Sequence, residues 1–273
     1  MRLINQKESR PIAFLLAAVP FVLILVIYMT ASHYRLEANP ADKLLPALES
    51  MGQAFWNMAA VPNRRTGELL LWKDTWASLT RLAYGIGISA ALALVLGVLI
   101  GLIPKARALL SSFVATVSLI PPITVLPILF IVFGLGETSK VMLIVVGTAP
   151  VMVRSIAQAV VDVPQELIIK AQTLGASTWR LIVRVVVPQI LPKLIQAIRL
   201  GLVPAWIFLV SAEAIASTEG LGYRIFLVRR YLAMDIILPY VAWITLIAFL
   251  IDRFLLLASR RRFPCAHLQG EDL

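Results

Sequence analysis

Six long, sparsely charged apolar stretches constrain this chain more than any other feature. They run over Ile12–Ala31, Leu79–Ile103, Leu109–Phe133, Val141–Ala159, Leu191–Ile215 and Ile236–Leu257. A run of about 18 or more apolar residues is long enough for a helix to cross the hydrocarbon core of a bilayer. In lipid the backbone must satisfy its own hydrogen bonds, so such runs fold as helices. Of the 273 residues 60% are hydrophobic and 15% charged, against roughly 45–50% and 25% in soluble domains. The expected fold is an all-α polytopic membrane protein with about six transmembrane helices.

The pattern divides the chain into residues 1–31, an external or interfacial segment 32–78, a five-helix core 79–258 and a tail 259–273. Arg2, Lys7 and Arg10 precede the first run as in a signal peptide. That run exceeds the 7–15 residues of a signal-peptide core, which points to a retained first helix. Within 32–78 the pattern around Leu44–Ala60 is amphipathic, and Trp56, Trp72 and Trp76 suit the headgroup level. The third span contains Pro121, Pro122 and Pro127. Breaks of this kind survive where other helices or a water-filled cavity satisfy the freed carbonyls, so this span is expected to face protein or a solute pathway.

Basic residues set the orientation. With the N-terminus inside, the inner loops and tails hold about 14 Lys and Arg against about six acids, and the outer segments about ten against eight. The topology is therefore N-in and C-in. The same asymmetry accounts for the net charge of +10 without a nucleic-acid partner, and no basic run is interleaved with stacking aromatics.

Catalytic signatures are missing from the sequence. A single cysteine, Cys265, and two histidines, His33 and His267, make neither a disulfide framework nor a metal cluster. Gly134-Leu-Gly-Glu-Thr-Ser-Lys140 superficially resembles a phosphate loop, but the Gly-Lys-Ser/Thr adjacency is absent. It reads as a tight turn between spans three and four. Gly97 and Gly101 form a GxxxG that, like Gly85 and Gly87, reads as helix packing. Charges inside spans are functional candidates. Arg199 and Glu213 on span five lie about 40° apart around a helix and about 21 Å along it. With Gln196, Pro121 and Pro122 they form a candidate translocation pathway. The alternative is that both charges snorkel to opposite interfaces.

The polar interval 160–190 is too charged to cross a bilayer and too patterned for a linker. Ala171, Leu174 and Gly175 offer a small-residue surface, and Trp179, Ile182 and Val186 recur at helical spacing toward Pro188. This stretch resembles the signature loop of binding-protein-dependent ABC importer permeases: Glu-Ala-Ala, three residues, Gly, nine residues, Ile, one residue, Leu-Pro. Ala171, Gly175, Val185, Val187 and Pro188 fill the matching positions, while Ile169 and Lys170 depart from the Glu-Ala pair. Ser118–Pro122, Phe133–Gly136, Ala212–Ala214 and Gly220–Tyr223 are similar to the taurine/nitrate/sulfonate/bicarbonate branch. Gly220–Pro239 resembles the subgroup that accompanies urea- or guanidine-processing carboxylases.

The resemblance implies a type I importer permease fold in a bacterial inner membrane and a multi-pass subunit without catalysis of its own. It implies a homodimer, or a pair of like permeases, with two cytosolic ATPases that carry the ATP and Mg. A soluble or lipid-anchored binding protein would deliver a small polar solute, nitrate-, sulfonate- or taurine-like or urea- or guanidine-like. Coupling to the ATPase would fall on Lys170, Ala171, Gln172, Thr173, Leu174, Gly175, Ala176 and Pro188. The competing function is a secondary transporter or channel without an ATPase, for which the two halves offer no inverted repeat.

Overall fold

The computed structural model describes residues 10–40, 42–64 and 66–264. Arg2, Lys7, Glu8, Cys265, His267, Glu271 and Asp272 lie outside the described residues. Among the described residues the regular structure is helical, and it divides into two compact parts.

One part comprises the chain up to Leu69 with Val228–Val241. Its first helix, α1 (Arg10–Ala38), extends past the expected Ala31. Tyr28 Oη donates to the Pro46 carbonyl at 2.7 Å and Ser32 Oγ to that of Leu45 at 2.9 Å, so the following chain folds back on α1. Next comes α2 (Leu48–Ala60), amphipathic as expected, with no buried residue.

The other part runs from Leu70 to Leu227 and resumes at Ala242. It contains α3 (Leu70–Leu102), α4 (Pro104–Val117), α5 (Pro122–Phe133), α6 (Glu137–Val161), α7 (Gln165–Thr173), α8 (Thr178–Leu181) and α9 (Val187–Ile215). The last two helices, α10 (Leu221–Arg229) and α11 (Met234–Arg262), begin or end across the division. The second span begins at Leu70, earlier than the expected Leu79. Trp72 and Trp76 made that first stretch look interfacial, whereas Asp74 and Ser78 beside them are fully buried against distant partners.

Helix α3 packs along α6, and α9 packs against both. A Cβ added at Gly85, Gly97 or Gly101 would lie 2.6, 2.8 and 2.4 Å from Ile144, Ile156 and Val160. Each pair is separated by 59 residues, as is the buried Ser89–Thr148 hydroxyl contact of 2.8 Å. A constant offset means that α3 and α6 run parallel and in register. Their glycines act as packing surfaces, as expected. Gly87 does not: a Cβ there meets nothing within 4 Å, so the shared reading with Gly85 fails for it.

Parallel α3 and α6 require the chain to cross back between them, and α4 with α5 makes that crossing. The pair is bent by 98°. Pro121 and Pro122 both lack an N–H, and Pro122 keeps its predecessor out of the helical region: Pro121 is extended at ψ 115. Helix α4 ends in the tight bonds Leu119 N–H to Thr116 O and Ile120 N–H to Val117 O. Pro122 then occupies the first turn of α5, where a missing donor costs nothing. Pro127, expected to break the span as well, lies inside an unbroken α5. Five single helices plus this bent pair make up to six spans. Of the phosphate-loop lookalike only Gly134, Leu135 and Gly136 form the turn between α5 and α6, with Gly134 at φ 75, while Glu137 to Lys140 make the first turn of α6.

Candidate functional site

The parallel α3–α6 pair and the opposed α9 give the core two distinct ends. At one, the chain leaves α6, makes the hairpin of α7 and α8 and enters α9; this is the loop end. At the other, α3 and α6 begin and α9 finishes; this is the far end.

At the loop end, Gly175 terminates α7 at φ 76. The Gly175 N–H donates to Gln172 O at 2.9 Å and the Ala176 N–H to Ala171 O at 3.0 Å. This is the paired bonding of a Schellman cap, which needs a left-handed residue, normally glycine, at that position. The small residues Ala171, Gly175 and Ala176 are thus the parts of one helix stop. Nothing lies within 4 Å of a Cβ built on Gly175, so within this chain its requirement is backbone conformation alone.

No residue of α7 is buried: Lys170, Gln172 and Thr173 are exposed, Leu174 is 80% exposed, and Ala171 is half-buried. Ser177 caps the next turn by accepting from the Arg180 N–H. Anchoring to the core falls to Leu181, Val186 and Ile190, all buried. Trp179, expected to pack with Ile182 and Val186, instead stands 72% exposed.

Residues Ile182–Val186 form a π-helical turn closed by the Val187 N–H on Ile182 O. Its cause lies two residues on: in an α-helix the ring of Pro188 would clash with the carbonyl of Arg184. The wider turn relieves that clash, and the chain passes unbroken from hairpin into membrane helix.

At the far end a polar knot joins four helices, α3, α6, α9 and α10. Glu213, fully buried on α9, accepts from Arg81 Nη1 and Ser78 Oγ, both at 2.7 Å, and from the Gly222 N–H at 2.8 Å. Arg81, 2% exposed, also pairs with Glu137 on α6, which in turn pairs with Lys140 at 2.7 Å. Asp74 pairs with Arg224 at 2.7 Å and accepts the Gly220 N–H at 3.0 Å. Gly220 needs its φ of 126 to pass beside Glu213 and Arg81. Asp74, Arg81, Lys140 and Glu213 are enclosed, whereas Glu137 and the Lys73–Glu219 pair lie at the exposed rim. Desolvated charge is held only when paired and hydrogen-bonded in this way.

The structure does not bring Arg199 and Glu213 together. Arg199 is joined to Asp252 on α11 by two bonds, 2.7 and 3.0 Å long. Nor does Glu213 snorkel, since it is enclosed in the knot. Gln196 and Pro121 are exposed, and Pro122 is half-buried. Arg81 and Asp74 are the residues the sequence reading passed over. Ionisable groups on an apolar helix were their only signal, and their partners lie 132 and 150 residues away.

Two cavities open near the loop end. One of about 370 Å³ lies between the ends of α3 and α6 and the hairpin, beside Val98, Gln165, Gln172 and Ile182. Another of about 330 Å³ lies between α3, α4 and α6, lined by Arg107, Ser111, Arg154 and Gln158 among others. Among the described residues no group of three or more His, Cys, Asp or Glu is placed to hold a metal.

Comparison with known proteins gives concordant matches. Residues 93–263 match the family described as binding-protein-dependent transport system inner membrane component. The taurine transport system permease protein TauC of Escherichia coli K12 is 37% identical over 71% of this chain and 70% of its own length. The putative aliphatic sulfonates transport permease protein SsuC of the same strain is 27% identical over 84% and 86%. The crystal structure of a bacterial ABC transporter that imports the acidic polysaccharide alginate matches with a TM-score of 0.63. It is 14% identical and covers 91% of this chain and 96% of that one; at that identity the likeness speaks for the fold.

Proposed function

We infer, from a chain that belongs to the family of inner membrane components of binding-protein-dependent transport systems and is therefore a permease subunit of an ABC importer, that ATPases grip its loop end to pass a small oxyanion-bearing solute inward. The observation carrying the coupling role is the contrast within one hairpin. Its tip, Lys170–Ala176, is capped by the Gly175 turn and exposed but for the half-buried Ala171 and Ala176, while Leu181, Val186 and Ile190 root it in the core. A rigid tip on a continuous helix transmits displacement rather than absorbing it. ATP hydrolysis then belongs to the partner, and the permease contributes alternating access by rigid-body rocking.

The assembly we propose is two permeases, identical or alike, over two cytosolic ATPases, with a binding protein delivering solute at the far end. This places the loop end in the cytosol, as the basic residues around it favour. The solute class comes from the relatives, whose names specify taurine and aliphatic sulfonates.

The test is uptake of labelled taurine and ethanesulfonate by vesicles holding the permease, its cognate ATPase and its binding protein. Uptake that requires ATP, and is lost with Gly175→Trp while the permease stays inserted, is the expected result. Uptake without the ATPase would make the protein a secondary transporter or channel and overturn the reading.

A further inference from the structure

Several cations on the helices of this core, Lys193 and Arg253 among them, have no ion pair among the described residues, but two such residues, both exposed, meet in one place. Arg81, Arg199 and Arg224 each have a carboxylate partner. Arg107 and Arg154 have none among the described residues, and both line the cavity between α3, α4 and α6. Arg107 donates from Nε and Nη2 to the carbonyls of Ile100 and Gly101, which end α3; its Nη1 is uncommitted. Arg154 donates from Nη1 to Ser118 Oγ at 3.0 Å, at the bend between α4 and α5, which leaves Nε and Nη2 uncommitted. Ser111 on α4 and Gln158 on α6 also line the cavity, and Gln158 Nε2 spends one of its two hydrogens on Asp162 Oδ1 at 2.8 Å.

We propose that this cavity is an oxyanion-binding site, with Arg107 and Arg154 as its two cationic arms and Ser111 and Gln158 as neutral donors. Its volume of about 330 Å³ admits a sulfonate or phosphate group with attached atoms. Guanidinium groups whose donors form a planar fork are suited to such oxygens. Both arms are already oriented through one side of the guanidinium, Arg107 by helix-end carbonyls and Arg154 by Ser118, so the other side is presented to a ligand. The bond to Ser118 also ties occupancy of the site to the bent span. The proposal takes its solute from the importer reading above; an anionic lipid headgroup shares the chemistry.

The purified permease in phosphatidylcholine nanodiscs is titrated calorimetrically with ethanesulfonate, and its co-purifying lipids are identified by native mass spectrometry. Arg107→Gln and Arg154→Gln are compared with Lys105→Gln, which removes a nearby charge outside the cavity, and thermal unfolding verifies that each variant is folded. The expected result is ethanesulfonate binding weakened about tenfold or more by either cavity variant and unchanged by Lys105→Gln. Retention of phosphatidylglycerol by the wild type and its loss in the double cavity variant, without ethanesulfonate binding, would assign the site to a headgroup. No arginine-dependent binding of either probe, or equal weakening by Lys105→Gln, overturns the proposal. Binding is read without the ATPase, so failed uptake with intact binding removes only the importer reading, and the converse removes only this one.

Discussion

The far end and the loop end of the same three helices are held by opposite means. At the far end, α3, α6 and α9 meet through directional bonds among Ser78, Arg81, Glu137, Lys140 and Glu213, and Asp74 adds α10 through Arg224. Toward the loop end, α3 and α6 meet through Gly97 and Gly101 against Ile156 and Val160, a seam without polar partners. Charges buried in such a network have few alternative arrangements, because any shift leaves one uncompensated. An aliphatic seam resists volume change but imposes no bond direction. The difference leaves a bundle clamped by directional bonds at one end and packed by shape at the other.

Removing one side of the clamp gives the largest expected effect. Arg81→Ala leaves the buried Glu213 without a cation, while Glu137 keeps Lys140, and costs about 3–5 kcal/mol, visible as loss of folded, detergent-stable protein. Replacing Arg81 and Glu213 together with Met and Leu should cost less than the sum of the single changes. Additive losses would mean that the knot is a set of independent bonds, and the contrast between the ends would fail.

Overfilling the seam comes next. Gly101→Leu drives atoms into Val160 and should cost about 1–3 kcal/mol, whereas Gly87→Ala meets open space and should be neutral or stabilising by up to about 1 kcal/mol through helix propensity. Thermal unfolding of the pair checks this. Equal effects would show that small residues on α3 matter for a reason other than contact with α6.

A conformational effect follows at the hairpin. Gly175→Ala costs about 1–2 kcal/mol of left-handed strain, and Gly175→Asn less, because Asn tolerates that region. Co-purification of the ATPase should follow the same order if the capped shape is what is gripped. The smallest effect belongs to Arg199–Asp252, a partly exposed pair expected to couple by about 1 kcal/mol or less in a double-mutant cycle. A coupling several times larger would extend the clamp toward the loop end.

What the sequence conveyed follows from the reach of each signal. Helical spans, the turn at Gly134, the Gly97/Gly101 packing face and the fixed interval from Gly175 to Pro188 are local patterns, and the structure contains each of them. Trp72 and Trp76 drew the stretch before Leu79 to the interface, because the burial of Asp74 and Ser78 beside them depends on residues more than 130 positions away. Arg199 and Glu213 were joined by helical arithmetic within α9, whereas their partners stand on other elements. The consecutive prolines announced a break, but its 98° angle depends on the parallel register of α3 and α6.

The widened turn at Ile182–Val186 has a geometric result of its own. It inserts one residue into the winding between membrane helix and hairpin, so it sets the compass bearing at which the exposed tip faces its surroundings. Deleting a single residue there would swing that bearing by about 100° while every contact deeper in the helix stayed in phase. A shortened chain would also bring the Pro188 ring back against the carbonyl one turn earlier, so the bend at the hairpin root would change together with its bearing.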